Sequence, residues 1–147
     1  MIYFKLSEFD SPDLPGSGTK MCPVFLAALD NARGMYGKPM RITNGFRTKE
    51  YGKLLQQHGY EVATKSAHYV GAATDIACAD TELIEMLNAC WAAGFRRFGI
   101  MGGAIHVDCD ATKPRPTTWD YSNTKGTARM KLARDWFNSK LKENVRS

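Results

Sequence analysis

The sequence has three histidines, His58, His68 and His106, and two of them stand where an imidazole needs a reason. His68 lies in a loop just ahead of the apolar run AATDIACA, and His106 lies inside the strand-like run AIHVDCD; His58 sits in a plain Gln-Gln-His-Gly context. Successive side chains of a strand point to opposite faces, so His106, Asp108 and Asp110 share one face while Ile105, Val107 and Cys109 share the other. The same alternation sets Asp75 and Ala77 against Ile76 and Cys78, which puts Cys78 and Cys109 with the apolar face as packing residues. Two neutral imidazoles and a carboxylate form a donor set that zinc accepts. Three protein ligands leave a fourth position for water, the arrangement of catalytic rather than structural sites. Any two His and one Asp match that set often by chance, so order and spacing have to support the assignment.

The elements that must position these residues are read from periodicity and punctuation. Residues 10–18 (DSPDLPGSG) are rich in turn formers, after which Thr19 is expected to cap a helix with Met21, Val24, Phe25, Ala28, Leu29, Ala32 and Met35 at helical spacing. Gly37 and Pro39 end it. Met40 and Ile42 alternate as a short strand does, the turn-prone Asn44-Gly45 follows, and residues 48–58 are weakly helical. Residues 59–71 read as a loop and residues 72–79 as a buried strand with an acid in its middle. Asp80 or Thr81 is expected to cap a helix with Leu83, Ile84, Leu87, Cys90 and Trp91 on its apolar side, ended at Gly94. Strands near 95–101 and 104–110 then form a hairpin around Gly102-Gly103. Ala128, Leu132, Trp136, Phe137 and Leu141 outline a last amphipathic helix over about 123–141. Helices alternating with short strands predict an α+β fold, a small antiparallel sheet with flanking helices.

The 147 residues suit one domain spanning 1–147, with 44% hydrophobic and 24% charged residues as in globular proteins. No basic start followed by an apolar run opens the chain, and no stretch of about 18 uncharged apolar residues exists, so neither signal peptide nor membrane span is expected. Synthesis in the cytosol and a monomer are the corresponding expectations. Cys22, Cys78, Cys90 and Cys109 show no CxxC pairing and read as free thiols. Of the net charge of +5, residues 113–147 carry nine Lys and Arg against three Asp and Glu, or +6, which leaves −1 for residues 1–112. A basic C-terminal helix suits an anionic polymer, whether envelope polymer, phospholipid surface or nucleic acid, and is equally the mark of a solvated amphipathic helix. No nucleic-acid-binding motif accompanies the charge, so no specific nucleic acid is expected.

The segment Ser66-Ala67-His68-Tyr69-Val70-Gly71-Ala72-Ala73-Thr74-Asp75, read as S-x-H-x-x-G-x-A-x-D, followed by Ile105-His106-Val107-Asp108, resembles the zinc peptidases of the D-alanyl-D-alanine carboxypeptidase and phage endolysin group. Their fold is shared with hedgehog signalling domains. Further agreement comes from residues 4–10 (FKLSEFD), from residues 29–33 (LDNAR), and from residues 42–48 (ITNGFRT), which look like that family's I-T-S-G-Y-R-S. The resemblance runs in order over roughly residues 4–119. It implies Zn2+ held by His68, Asp75 and His106, with Arg47 as the substrate or transition-state arginine and Ser66 as a hydrogen-bonding neighbour of ligand or substrate. A guanidinium suits that role because it grips a carboxylate bidentately or balances a developing oxyanion. One departure stands out: many relatives place an acid three residues before the second zinc histidine as general base, and here that residue is Gly103. Asp108, on the His106 face, is the nearest replacement, either as that base or as a carboxylate orienting a ligand; Glu61 is another acid to consider. The implied substrate is the stem peptide of peptidoglycan, cut internally as by endolysins or at the terminal D-alanine. The endolysin-like use is the expectation, with action on the wall after release or from a phage particle. The alternative is a non-catalytic, zinc-stabilised wall-binding or virion-associated protein. Phe46, Tyr69 and Trp119 are candidates to line the cleft or the core.

Overall fold

The structure is a computed structural model that describes the backbone of residues 1–146 and the side chains of residues 1–143. Among the described residues four α-helices, α1 (Pro23–Tyr36), α2 (Lys49–Gln57), α3 (Leu83–Ala92) and α4 (Ala128–Arg146), accompany five strands. These are β1 (Ile42–Asn44), β2 (Ala73–Ala77), β3 (Arg97–Ile100), β4 (Ala104–Asp108) and β5 (Thr117–Asp120), in the spatial order β1-β2-β4-β3-β5. The fold is α+β. The sheet is mixed rather than purely antiparallel, because β5, which periodicity did not reveal, adds to the edge of β3 in parallel register. Its four residues are all half-buried and carry no period-two contrast, so nothing in their pattern marks a strand.

One face of the sheet is core. Ile76, Phe98, Ile100, Ile105 and Val107 are wholly buried and pack with Phe25 and Leu29 of α1 and Leu83 and Leu87 of α3. The C-terminal helix closes the far side with an aromatic cluster in which Trp136 meets Phe98 edge-on at 5.3 Å and Trp91 at 5.8 Å, while its indole N–H donates to Asn88 Oδ1 at 2.8 Å. Truncating a ring such as Phe98 to alanine would cost about 3–5 kcal/mol. Arg129 pins the β3–β4 turn against α4: Nε donates to the Met101 carbonyl, Nη2 to the Ala104 carbonyl, and Nη1 to Asp80 Oδ1.

Several boundaries differ from expectation for local reasons. A 3-10 turn (Ser17–Lys20) precedes α1, and Pro23 opens the helix at its first turn, so Thr19 donates to the Gly16 carbonyl instead of capping. Val24 and Met35, assigned to the apolar face of α1, are 75% and 57% exposed. Neither Asp80 nor Thr81 caps α3; another 3-10 turn (Asp80–Glu82) intervenes, and Glu82 accepts from the Ala79 N–H. The last helix begins at Ala128 rather than 123, because Thr124 turns the chain by bonding the Tyr121 and Ile100 carbonyls. Its basic residues are largely paired among the described residues: Arg129 with Asp80, Lys131 with Asp135, Arg134 with Asp120 and Lys140 with Glu143. No helix of the described residues is long and apolar enough to cross a membrane.

Candidate metal centre and cleft

Strand register sets one residue from each strand in a line across the open face of the sheet. Asn44 of β1 lies opposite Asp75 of β2, Asp75 opposite His106 of β4, His106 opposite Gly99 of β3, and Gly99 opposite Trp119 of β5. Two residues along, on the same face, Ala73, Asp108, Arg97 and Thr117 form a second line. The strands thus bring Asp75 and His106 together without any loop.

His68 arrives from the segment expected as loop, which contains a 3-10 turn (Ala67–Val70). The Ser66 hydroxyl oxygen accepts from the His68 N–H at 3.2 Å, capping that turn. Gly71 ends it in the left-handed region at φ 69°, where a Cβ would lie 2.4 Å from the Lys20 carbonyl oxygen, so both conformation and space require glycine. His68 Nε2 then lies 3.3 Å from Asp75 Oδ1, and His106 Nδ1 lies 3.1 Å from the same oxygen. The three donor atoms fall within 4.8 Å of one another, and all three residues are buried.

Every remaining polar atom of the three has a partner. His68 Nδ1 donates to the Gly45 carbonyl at 2.7 Å, Asn44 Nδ2 donates to Asp75 Oδ2 at 3.0 Å, and His106 Nε2 donates to Asp108 Oδ2 at 2.7 Å. Each imidazole therefore turns one nitrogen toward the common point and has the other fixed by an acceptor, the pattern of histidines that ligate a metal. The donor chemistry and its convergence fit zinc.

Burial pushes the His68 imidazole down, against the pull of Asp75, and keeps it neutral. Burial opposes charge on His106 as well, but the carboxylates of Asp108 and Asp75 outweigh it and raise that group. Burial would raise Asp75; the two imidazoles overcome it and hold the carboxyl well below the usual range. Asp108 is also held low, by His106 and Arg97 against its burial. The centre thus holds anionic carboxylates facing imidazoles that a cation can take over.

Asp108 stands at the His106 nitrogen opposite the one that faces Asp75. Its Oδ2 takes the imidazole, and its Oδ1 accepts from Arg97 Nε at 2.7 Å and from the Asp110 N–H at 3.1 Å. Arg97 was not among the residues singled out in the sequence. Glu61 is exposed and accepts from the Ser122 N–H. Gly103 occupies the hairpin turn, with no atom within 4 Å of where its Cβ would be.

Around the centre lies a cleft of about 770 Å³ whose walls include Arg47, Ser66, Tyr60, Trp119 and Tyr121. Arg47 makes no ion pair among the described residues, and its buried Nε has no hydrogen-bond partner. Trp119 lies over Gly99, where a Cβ would come within 2.8 Å of the indole, and its ring is tilted onto His106 at 5.4 Å. Phe46 and Tyr69 do not line the cleft: Phe46 packs against the core, and the Tyr69 hydroxyl fills the space beside Gly52. Tyr121, which sequence reasoning passed over, is pushed up to about 12 by burial and so stays a proton donor.

The model of the family described as Peptidase M15 matches residues 3–110 of the chain, a span that contains Arg47, Ser66, His68, Asp75, Arg97, His106 and Asp108. No curated protein matches the chain.

Proposed function

Because the chain belongs to the Peptidase M15 family, we propose that it is a zinc-dependent peptidase that cuts the stem peptides of bacterial peptidoglycan. The convergence of His68 Nε2, Asp75 Oδ1 and His106 Nδ1 on one buried point, beside an open cleft, carries the reading. Zinc bound there would supply Lewis acidity toward the scissile carbonyl and a water acidified toward neutrality. The chain's own residues do the rest. Gly45, Asn44 and Asp108 hold the three ligands in orientation. Arg47, whose buried Nε is unpartnered, grips a substrate carboxylate or balances charge on the carbonyl oxygen as the tetrahedral centre forms. Tyr121 can donate to substrate from the wall, and Trp119 offers a flat apolar surface that excludes water. Asp108 enters as an orienting carboxylate, since both of its oxygens are engaged.

The endolysin-like use, on an internal bond and by a protein made in the cytosol and delivered to the wall, is our reading of the biological setting. It is supported by the basic C-terminal segment, which suits an anionic envelope polymer. The pairing of four cations of α4 reduces that support.

A second reading is favoured by one observation. Asp108 has both oxygens engaged and residue 103 is a glycine, which leaves Glu61 of the cleft wall, held by the Ser122 N–H through one oxygen, as the remaining acid, so a zinc-stabilised wall-binding protein without turnover is the alternative. Digestion of purified peptidoglycan by the zinc-loaded protein, followed by mass spectrometry, separates the two. New muropeptide ends are the expected result, and they name the bond. An unchanged digest supports the binding protein. In the same assay Asp108→Asn at near wild-type rate excludes proton uptake by Asp108.

A further inference from the structure

We propose that Arg97 is a positioning residue for the metal centre: acting through Asp108, it fixes the ring orientation and tautomer of His106 so that Nδ1, not Nε2, faces the ion. The inference rests on the zinc reading above and adds a residue of the cleft wall whose own bonds go to Asp108 and the Pro114 carbonyl rather than to the three ligand atoms.

The hairpin of β3 and β4 places Arg97 directly opposite Asp108, two residues from the Gly99–His106 pair, so the guanidinium, the carboxylate and the imidazole lie on one face. Arg97 Nε donates to Asp108 Oδ1 at 2.7 Å, and the Asp110 N–H reaches the same oxygen, which turns Oδ2 toward His106 Nε2 at 2.7 Å. A carboxylate hydrogen-bonded by both oxygens has one orientation, and the imidazole that donates to it has one tautomer. Arg97 is itself held. Nη1 donates to the Pro114 carbonyl, and the guanidinium lies 4.9 Å from the centre of the Trp119 ring. Asp108 is 1% exposed, so loss of its guanidinium partner leaves a buried carboxylate held by the imidazole and the Asp110 N–H, with its countercharge gone. Such a carboxylate is free to turn, and the hold on His106 loosens with it.

The test measures zinc affinity by competition with a chromophoric chelator, and the visible spectrum of the cobalt(II)-substituted protein, whose bands report ligand geometry. Arg97→Gln is expected to weaken zinc binding about 10–100-fold and to alter the cobalt spectrum. Arg97→Lys, which keeps a cation beside Asp108, should recover much of the loss. Asp108→Asn should weaken zinc to a similar extent, and the double variant little further, because both changes break one chain of contacts. Zinc affinity and a cobalt spectrum unchanged in Arg97→Gln, whatever its melting temperature, overturn the proposal. So do fully additive losses in the double variant. If Arg97→Gln does not fold, Asp108→Asn, which leaves Arg97 in place, decides: wild-type affinity there overturns it. Absence of zinc binding by the wild-type protein is distinguishable and overturns the zinc reading itself.

Discussion

Replacing Gly99 with alanine puts a methyl group under the Trp119 indole. An ideal Cβ at residue 99 lies 2.8 Å from two indole atoms, Cε2 and Nε1, and 2.9 Å from Cζ2. Carbon atoms settle at about 3.5–4.0 Å, so the ring has to lift by about 0.7–1.2 Å. Trp119 belongs to the edge strand β5 and is half-buried, so lifting is feasible. Lifting parts it from His106, now 5.4 Å away between ring centres, and from the Arg97 guanidinium at 4.9 Å. Overpacking of this kind costs about 1–3 kcal/mol. For a chain of this length that is a fall in melting temperature of about 2–12 °C. Calorimetry of wild type, Gly99→Ala and Gly99→Ala/Trp119→Phe is the assay. The smaller phenyl ring should recover part of the loss, and zinc content should stay at the wild-type level, since no ligand atom is displaced. A Gly99→Ala protein that melts with wild type, or a double variant that recovers nothing, refutes the placement of the indole over Gly99.

Further outcomes follow from the same geometry. Arg47→Lys loses the planar two-pronged grip, and peptide cleavage should fall about 100-fold with zinc content unchanged; cleavage near the wild-type rate would remove Arg47 from the mechanism. Zinc and a proton compete for His106, whose affinity for protons is raised by Asp108 and Asp75. Zinc binding should therefore weaken as pH falls through that raised value, with proton uptake on release, and an affinity constant between about pH 8 and about pH 5 would contradict it. The Cys90 thiol is fully buried and pushed up to about 12. Iodoacetamide should leave it unmodified in the native protein and label it after unfolding, with the half-buried Cys22 and Cys109 reacting earlier.

Much of the centre was legible because strand alternation is a strict geometric rule. It placed His106 and Asp108 on one face and Ile105 and Val107 on the other, and the structure shows that division. Arg97 was within reach of the same rule: a hairpin closed on Gly102-Gly103 pairs residue 99 with 106 and residue 97 with 108. The missing step was to extend the register from the histidine to its partner strand. By contrast, β5 could not be read from periodicity, since its residues are half-buried on both sides and its parallel partner is distant in sequence. Thr19 misled because a side chain suited to capping can equally turn back to a nearby carbonyl, as it does to Gly16. The engagement of Asp108 by Arg97 and His106 was likewise invisible in spacing, which gives proximity along a strand but not which oxygen is taken.

The central claim is that His68, Asp75 and His106 hold one zinc ion. Metal analysis of the purified protein, dialysed against zinc and then desalted, tests it most directly when run beside His68→Ala of unchanged circular dichroism. The account predicts one zinc per wild-type chain and a loss of stoichiometric zinc in the variant. A zinc-free wild type, or a variant that keeps its full complement, would contradict it.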